Sequence, residues 1–155
     1  MPREEPSLSL DKSSRRGSRR RAFQILFSLG FAENPDEAGL SRLFSQSPHG
    51  DAGDTIGGDD PFAWELVRGA APHLAAIDAT IAEYSRNWRV GRIGRVELAI
   101  LRLALYELLH CPQTPARVVI NEAVELAKRY GDENSKNFVN GILDAAARAL
   151  PPREK

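Results

Sequence analysis

The chain has 155 residues, 42% of them apolar and 27% charged, and its 21 Lys/Arg balance 21 Asp/Glu. That length makes one domain with a real core the simplest organisation, and a formal net charge of zero excludes a global field drawing the protein to nucleic acid. The single cysteine, Cys111, excludes an intramolecular disulfide framework, and no apolar run approaches the ~20 residues of a membrane span.

The charge is unevenly distributed: residues 1–21 carry seven Lys/Arg against three Asp/Glu, and residues 33–65 carry eight Asp/Glu against one Arg. Such asymmetry speaks about partners rather than fold. In chain order, residues 1–12 are polar and proline-interrupted with no period to bury, so residues 1–13 are expected to be disordered. A single domain should follow over 14–150, with a short tail at 151–155. The first helix should begin near Ser14 or Ser18 and run to about Ala32. Its head, Arg15-Arg16-Gly17-Ser18-Arg19-Arg20-Arg21, holds five arginines in seven residues, with no acid between Lys12 and Ala32. Arginine offers a rigid fork of donors and a charge that never titrates away, so such an arm suits a phosphate-rich partner. A solvated, frayed N-terminus is the other reading, and on residues alone the two weigh about evenly. Paired arginines before Ala22–Ala32 also resemble a twin-arginine export leader. Gln24 breaks the apolar run, Ala22, Phe23, Leu26 and Leu29 form a helical stripe, and no A-x-A site follows, so the protein is read as cytoplasmic.

Asn34 as N-cap and Pro35 at the first position open a second, short helix to about Gln46. Residues 47–58 form a Gly/Asp loop that lacks the full calcium-ligand pattern and is assigned no role. Asp59 or Asp60 with Pro61 starts a third helix, whose face Val67, Ala70, Leu74, Ile77, Ile81 and Tyr84 should be kinked or divided at Pro72. A connection with Arg86, Arg89, Arg92 and Arg95 leads into Val96–Leu109, apolar on nearly every face and therefore surrounded by other helices. Arg86, Arg89 and Arg95 are read as solvated or as caps on the third helix. Thr114-Pro115 opens a fifth helix ending in Lys128-Arg129 with Gly131 at C′. Asp132 or Asn134 starts a sixth, striped by Phe138, Val139, Ile142, Leu143, Ala146 and Leu150. No segment alternates with period two for long enough to be a strand, so the fold is all-α.

No catalytic or metal constellation emerges. His49, His73 and His110 are scattered, and Cys111 has no C-x-x-C companion. Their readings are a loop residue, a surface residue and a helix C-terminal histidine favoured by the dipole. Neither a catalytic residue nor a cofactor is expected. Phe23, Phe27, Trp64, Tyr106 and Phe138 lie on helical stripes, where core packing is the default.

Val96–Leu108, Ile120-Asn121-Glu122-Ala123-Val124-Glu125-Leu126-Ala127-Lys128-Arg129-Tyr130-Gly131 and Ser135-Lys136-Asn137-Phe138-Val139-Asn140-Gly141-Ile142-Leu143-Asp144 resemble three consecutive helices of the bacterial antitermination factors of the NusB family. Arg19–Phe27 is similar to the start of that family, and Trp88 with Arg92-Ile93 to its central connection. The resemblance covers about residues 15–150. It implies a compact bundle of six to seven helices in two small subdomains and a role without catalysis. It further implies binding of the boxA element of ribosomal RNA operons, jointly with the ribosomal protein NusE, and entry into the RNA polymerase complex with other Nus factors. A homodimer is the alternative assembly, since some NusB relatives self-associate.

By the same resemblance, Arg15, Arg16, Arg19, Arg20, Arg21 and Gln24 belong to the RNA-binding arm, and Arg92 extends its basic track. Asn134, Lys136 and Phe138 belong to the base-reading region, although for Phe138 stacking on a base and packing in the core weigh evenly. Glu97 and Arg102 are expected to face NusE. Gly17 stands where relatives often carry a further basic residue, and Phe27 where a tyrosine is frequent.

Overall fold

From Val96 to Leu109 the only charged residues are Glu97, Arg102 and Glu107, each five positions after the last. At about 100° per residue, five positions turn a helix by about 140°, so the three charges project to three different sides. In the computed structural model, which describes residues 7–29, 36–46, 60–85 and 93–150, each of them meets a different neighbouring helix. Helix α5 (Arg95–His110) is the axis of the molecule and packs against α1 (Ser7–Leu29), α3 (Pro61–Ala70), α4 (Leu74–Ser85), α6 (Ala116–Tyr130) and α7 (Ser135–Ala149). Short α2 (Glu37–Gln46) lies against α3. These are seven α-helices among the described residues, with no strand.

Two small groups, α1–α3 and α4–α7, share one apolar cluster that runs through α5 from Leu98 to Leu108. Within α5, Ile100, Leu101 and Leu105 are fully inaccessible, as the all-round apolar pattern requires. The three charges fasten the surrounding helices to this axis. Glu107 accepts a fork from Arg19 of α1, Nε and Nη2 both at 2.8 Å. Arg102 donates Nε and Nη2 to Asp78 of α4 at 2.8 and 2.7 Å. Glu97 accepts the Ser135 hydroxyl at the start of α7.

Helix α1 begins at Ser7, earlier than the Ser14 or Ser18 start expected from sequence. Ser7–Ser14 contains neither glycine nor proline, so the packed turns can propagate backwards at one hydrogen bond per residue. Helix α2 starts two residues later than expected, at Glu37. Its cap is Asp36, whose Oδ1 accepts the Gly39 N–H at 2.8 Å, and Asn34 lies outside the described residues. Asp60 caps α3 as expected, accepting from Ala63 N at 3.2 Å, with Pro61 at the first helical position. Pro72 has no N–H to give, and the chain there tightens into a 3₁₀ turn, Ala71–His73, that divides α3 from α4.

Gly131 follows α6, but with φ −100° its backbone is not left-handed. Glycine is needed there for close approach: a Cβ would run into the side chain of Ser135 and lie 2.9 Å from the Ala127 carbonyl oxygen. Arg95 caps the end of α1 rather than of the third helix. Its Nη2 donates to the Phe27 carbonyl at 3.0 Å while its guanidinium sits over the Phe27 ring.

Candidate nucleic-acid interface

Helix α1 carries the arginine run, and its burial sorts the five arginines into two kinds. Residues 18, 22, 25 and 29 recur at helical spacing and face the core, and Arg19 and Arg21 flank that stripe. Both belong to the phosphate-binding set by sequence, and the structure corrects this. Arg19 is 5% exposed and held by Glu107; burial alone would lower its pKa, but the hydrogen bonds and charge of Glu107 outweigh burial and raise it. Arg21 is 1% exposed, stacks 4.1 Å above the Phe44 ring and donates to the Phe44 carbonyl at 3.0 Å. Its Nη1 also lies 3.7 Å from Asp60, which in turn accepts the Ser18 hydroxyl at 2.7 Å. Arg19 and Arg21 therefore join α1 to the body.

The arginines directed outward are Arg15, Arg16 and the half-buried Arg20. Arg15 lies over the Phe62 ring at 4.4 Å, on the α3 side of the helix. Arg16, Arg20 and Gln24 recur every four residues and form a ridge along the α6 side. Arg16 pairs with Glu122, and Gln24 Nε2 donates to the Tyr130 hydroxyl at 3.4 Å. Both links join residues 106 apart, so α1 and α6 advance together in the same direction. Between them lies an open groove, walled by Arg15, Arg16 and Arg20 on one side and by Gln113, Asn121, Glu122, Glu125 and Arg129 on the other.

Following α6 past Tyr130 leads to the tip where α7 begins. Asp132 Oδ1 accepts the Asn134 N–H at 3.0 Å, and the Ser135 hydroxyl accepts the Asp132 N–H at 3.0 Å. With Ser135 buried and tied to Glu97, Asn134 and Lys136 are left exposed on the outside of this turn. Phe138 is half-buried and packs against the core, so part of its ring remains accessible. The structure thus sets Arg16, Arg20 and Gln24 along the α6 side of α1, and leaves Asn134 and Lys136 exposed at the start of α7. Arg92 lies outside the described residues.

The residues expected to face NusE both have partners within the chain. Arg102 is 6% exposed, and its Nε and Nη2 are bound to Asp78, so it ties α5 to α4. Glu97 is half-buried and engaged with Ser135. Arg129, Asn121 and Glu122 line the groove and are not singled out by the sequence pattern. Their signal is the polar stripe 121–125–129 on an amphipathic helix, which reads as a solvated face until α1 is laid beside it.

Two histidines separated in sequence come together elsewhere. His73, from the 3₁₀ turn, stacks on His110 with ring centroids 4.3 Å apart, and Tyr106 also stacks on His110 at 5.2 Å. Among the described residues no cluster of three His, Cys, Asp or Glu is placed to hold a metal. Burial, and secondarily the charge of His73, hold His110 below the ordinary histidine value. A depressed histidine contributes stability that is present above the unfolded value near 6.5 and is lost as pH falls through the folded one. Acidification from about pH 7 to about pH 5 is expected to lower the melting temperature, and His73→Gln to flatten that dependence. Melting curves across this range check it; equal slopes in both proteins would refute the coupling.

Residues 16–148 match the model of the NusB family. The chain belongs to that family. Transcription antitermination protein NusB of Oleidesulfovibrio alaskensis is 49% identical over 142 residues, covering 90% of this chain and 91% of the relative. NusB of Geobacter sulfurreducens is 42% identical over 140 residues, covering 90% and 98%. Among solved structures, T. maritima NusB superposes with a TM-score of 0.72 at 38% identity, covering 89% of this chain and 93% of that one. A NusB solved with NusE and double-stranded RNA superposes with a TM-score of 0.72 at 27% identity, covering 88% and 98%. The NusB match opens at Arg16, the first residue of the groove-facing ridge. Among the described residues, no helix is long and apolar enough to cross a membrane.

Proposed function

We propose that this chain is a transcription antitermination factor of the cytoplasm. It binds boxA-type single-stranded RNA of ribosomal RNA operons together with NusE, joins the RNA polymerase complex with other Nus factors, and acts by binding without catalysing a reaction. The observation that carries this reading is the open groove between α1 and α6, with Arg15, Arg16 and Arg20 on its α1 wall. The arginines supply phosphate affinity. The amide of Asn134, the ammonium of Lys136 and the accessible part of Phe138 supply contacts to unpaired bases. The relatives named transcription antitermination proteins, and the NusB solved with NusE and RNA, support it.

A labelled boxA-type RNA is expected to bind with affinity that falls steeply with salt and rises when NusE is added. Absence of any preference for boxA over a scrambled RNA, with NusE and without it, would refute the reading. Self-association is the weaker reading, because Leu109 is the single exposed large hydrophobic among the described residues and offers little apolar surface for a dimer. Sedimentation at micromolar concentration distinguishes the two assemblies.

A further inference from the structure

Glu122 stands on the α6 wall of the groove, directly beneath the arm. Its carboxylate accepts Nε and Nη2 of Arg16 at 3.1 and 2.8 Å. The Glu122 side chain is 16% exposed and that of Arg16 56%, so the acid forms the floor and the cation covers it. The hydrogen bond to Glu122 and its charge raise the Arg16 pKa, and Glu125, one turn further along α6, adds to the effect. The charge of Glu122 also reaches Arg19. Glu122 and Glu125 are the acidic side chains lining the groove among the described residues, and Glu125 already has Lys128 at 3.3 Å.

A guanidinium binds carboxylate and phosphate through the same pair of N–H donors. The side-on edge of Arg16 is therefore filled by an anion that the protein itself provides. We propose that Glu122 is an internal competitor of the RNA backbone, occupying the fork of Arg16 until a phosphate displaces it. This rests on the RNA-binding reading above and deepens it. The contact sets a threshold: a strand that offers only phosphates must first break an ion pair, whereas one that also engages the α7 tip has further contacts to offset the exchange. Exposed ion pairs are weak, so the threshold amounts to about two- to fivefold in affinity.

The sign of one substitution tests this. Glu122→Gln keeps the shape and one acceptor and removes the charge. In a titration of labelled boxA-type single-stranded RNA at near-physiological salt, the full chain carrying E122Q is expected to bind about two- to fivefold more tightly than wild type. A scrambled RNA of equal length should gain by the same factor. In an Arg16→Gln background the gain should vanish, because the competed fork is gone. Unchanged or weaker binding by E122Q would overturn the proposal; weaker binding would identify Glu122 as a clamp that aims Arg16 at the RNA. A gain that survives in the R16Q background would also overturn it, because the effect would then not pass through Arg16. If neither wild type nor E122Q binds RNA, the RNA-binding reading falls and the proposal with it. If both bind alike, only the proposal falls.

Discussion

Arg19→Leu is expected to destabilise the protein by about 3–5 kcal/mol, a large fraction of the 5–15 kcal/mol that holds a typical domain together. The reason is not the strength of the ion pair. Glu107 is 2% exposed in the last turn of α5, and removing Arg19 leaves its carboxylate in the core without the forked partner. Taking an ion out of water costs several kcal/mol, and its mate repays this only while the geometry is intact. The double variant Arg19→Leu/Glu107→Leu should therefore recover most of the loss, since two apolar side chains can fill the space with no buried charge to solvate. Urea unfolding of the two single variants and the double forms a closed cycle. A single variant within about 1 kcal/mol of wild type, or a double no more stable than either single, would show that the pair carries no such role.

That expectation could not have been drawn from the arginine run itself. In the sequence Arg15, Arg16, Arg19, Arg20 and Arg21 are one basic cluster, and nothing local separates them. What separates them is the phase of the helix against partners 88 positions away for Arg19 and 106 for Arg16. Apolar periodicity marks which side of α1 faces inward, but a charged residue on that side is legible only if its counter-charge is known. The same limit applies to α5. The five-residue spacing of Glu97, Arg102 and Glu107 shows that they point three ways. It does not show that Arg102 turns to Asp78.

The local signals fared better because their physics is local. Asp60-Pro61 capping α3, the break at Pro72 and the all-round apolar face of Val96–Leu109 each follow from a few adjacent residues. The α7 tip was legible as a helix start near Asp132 or Asn134. Its dependence on Ser135, wedged between Glu97 and the turn, was not, because that contact crosses between helices. Gly131 shows the same division. A glycine after a helix suggests a left-handed cap, and here it instead leaves room for the Ser135 side chain.

Arg15→Gln/Arg16→Gln/Arg20→Gln should have the largest effect on binding and a small one on stability. For single strands each neutralised phosphate contributes about 0.7 to the slope of log K against log salt. Losing three contacts should make that slope shallower by about 2 and, near 0.1 M salt, weaken RNA binding on the order of 10²-fold. The loss should be nearly equal for boxA and scrambled RNA, because phosphate contacts carry no sequence information. The melting temperature should fall only slightly, since Arg15 and Arg16 are exposed, Arg20 is half-buried, and the most buried ties of α1 run through Arg19 and Arg21. Asn134→Ala combined with Phe138→Leu should do the opposite, narrowing the preference for boxA while leaving the salt slope in place. Titrations at three or four salt concentrations separate the two patterns. If the triple variant kept the wild-type slope, the groove-facing arginines would not be the electrostatic anchor, and the phosphate path would have to run over another face of the molecule.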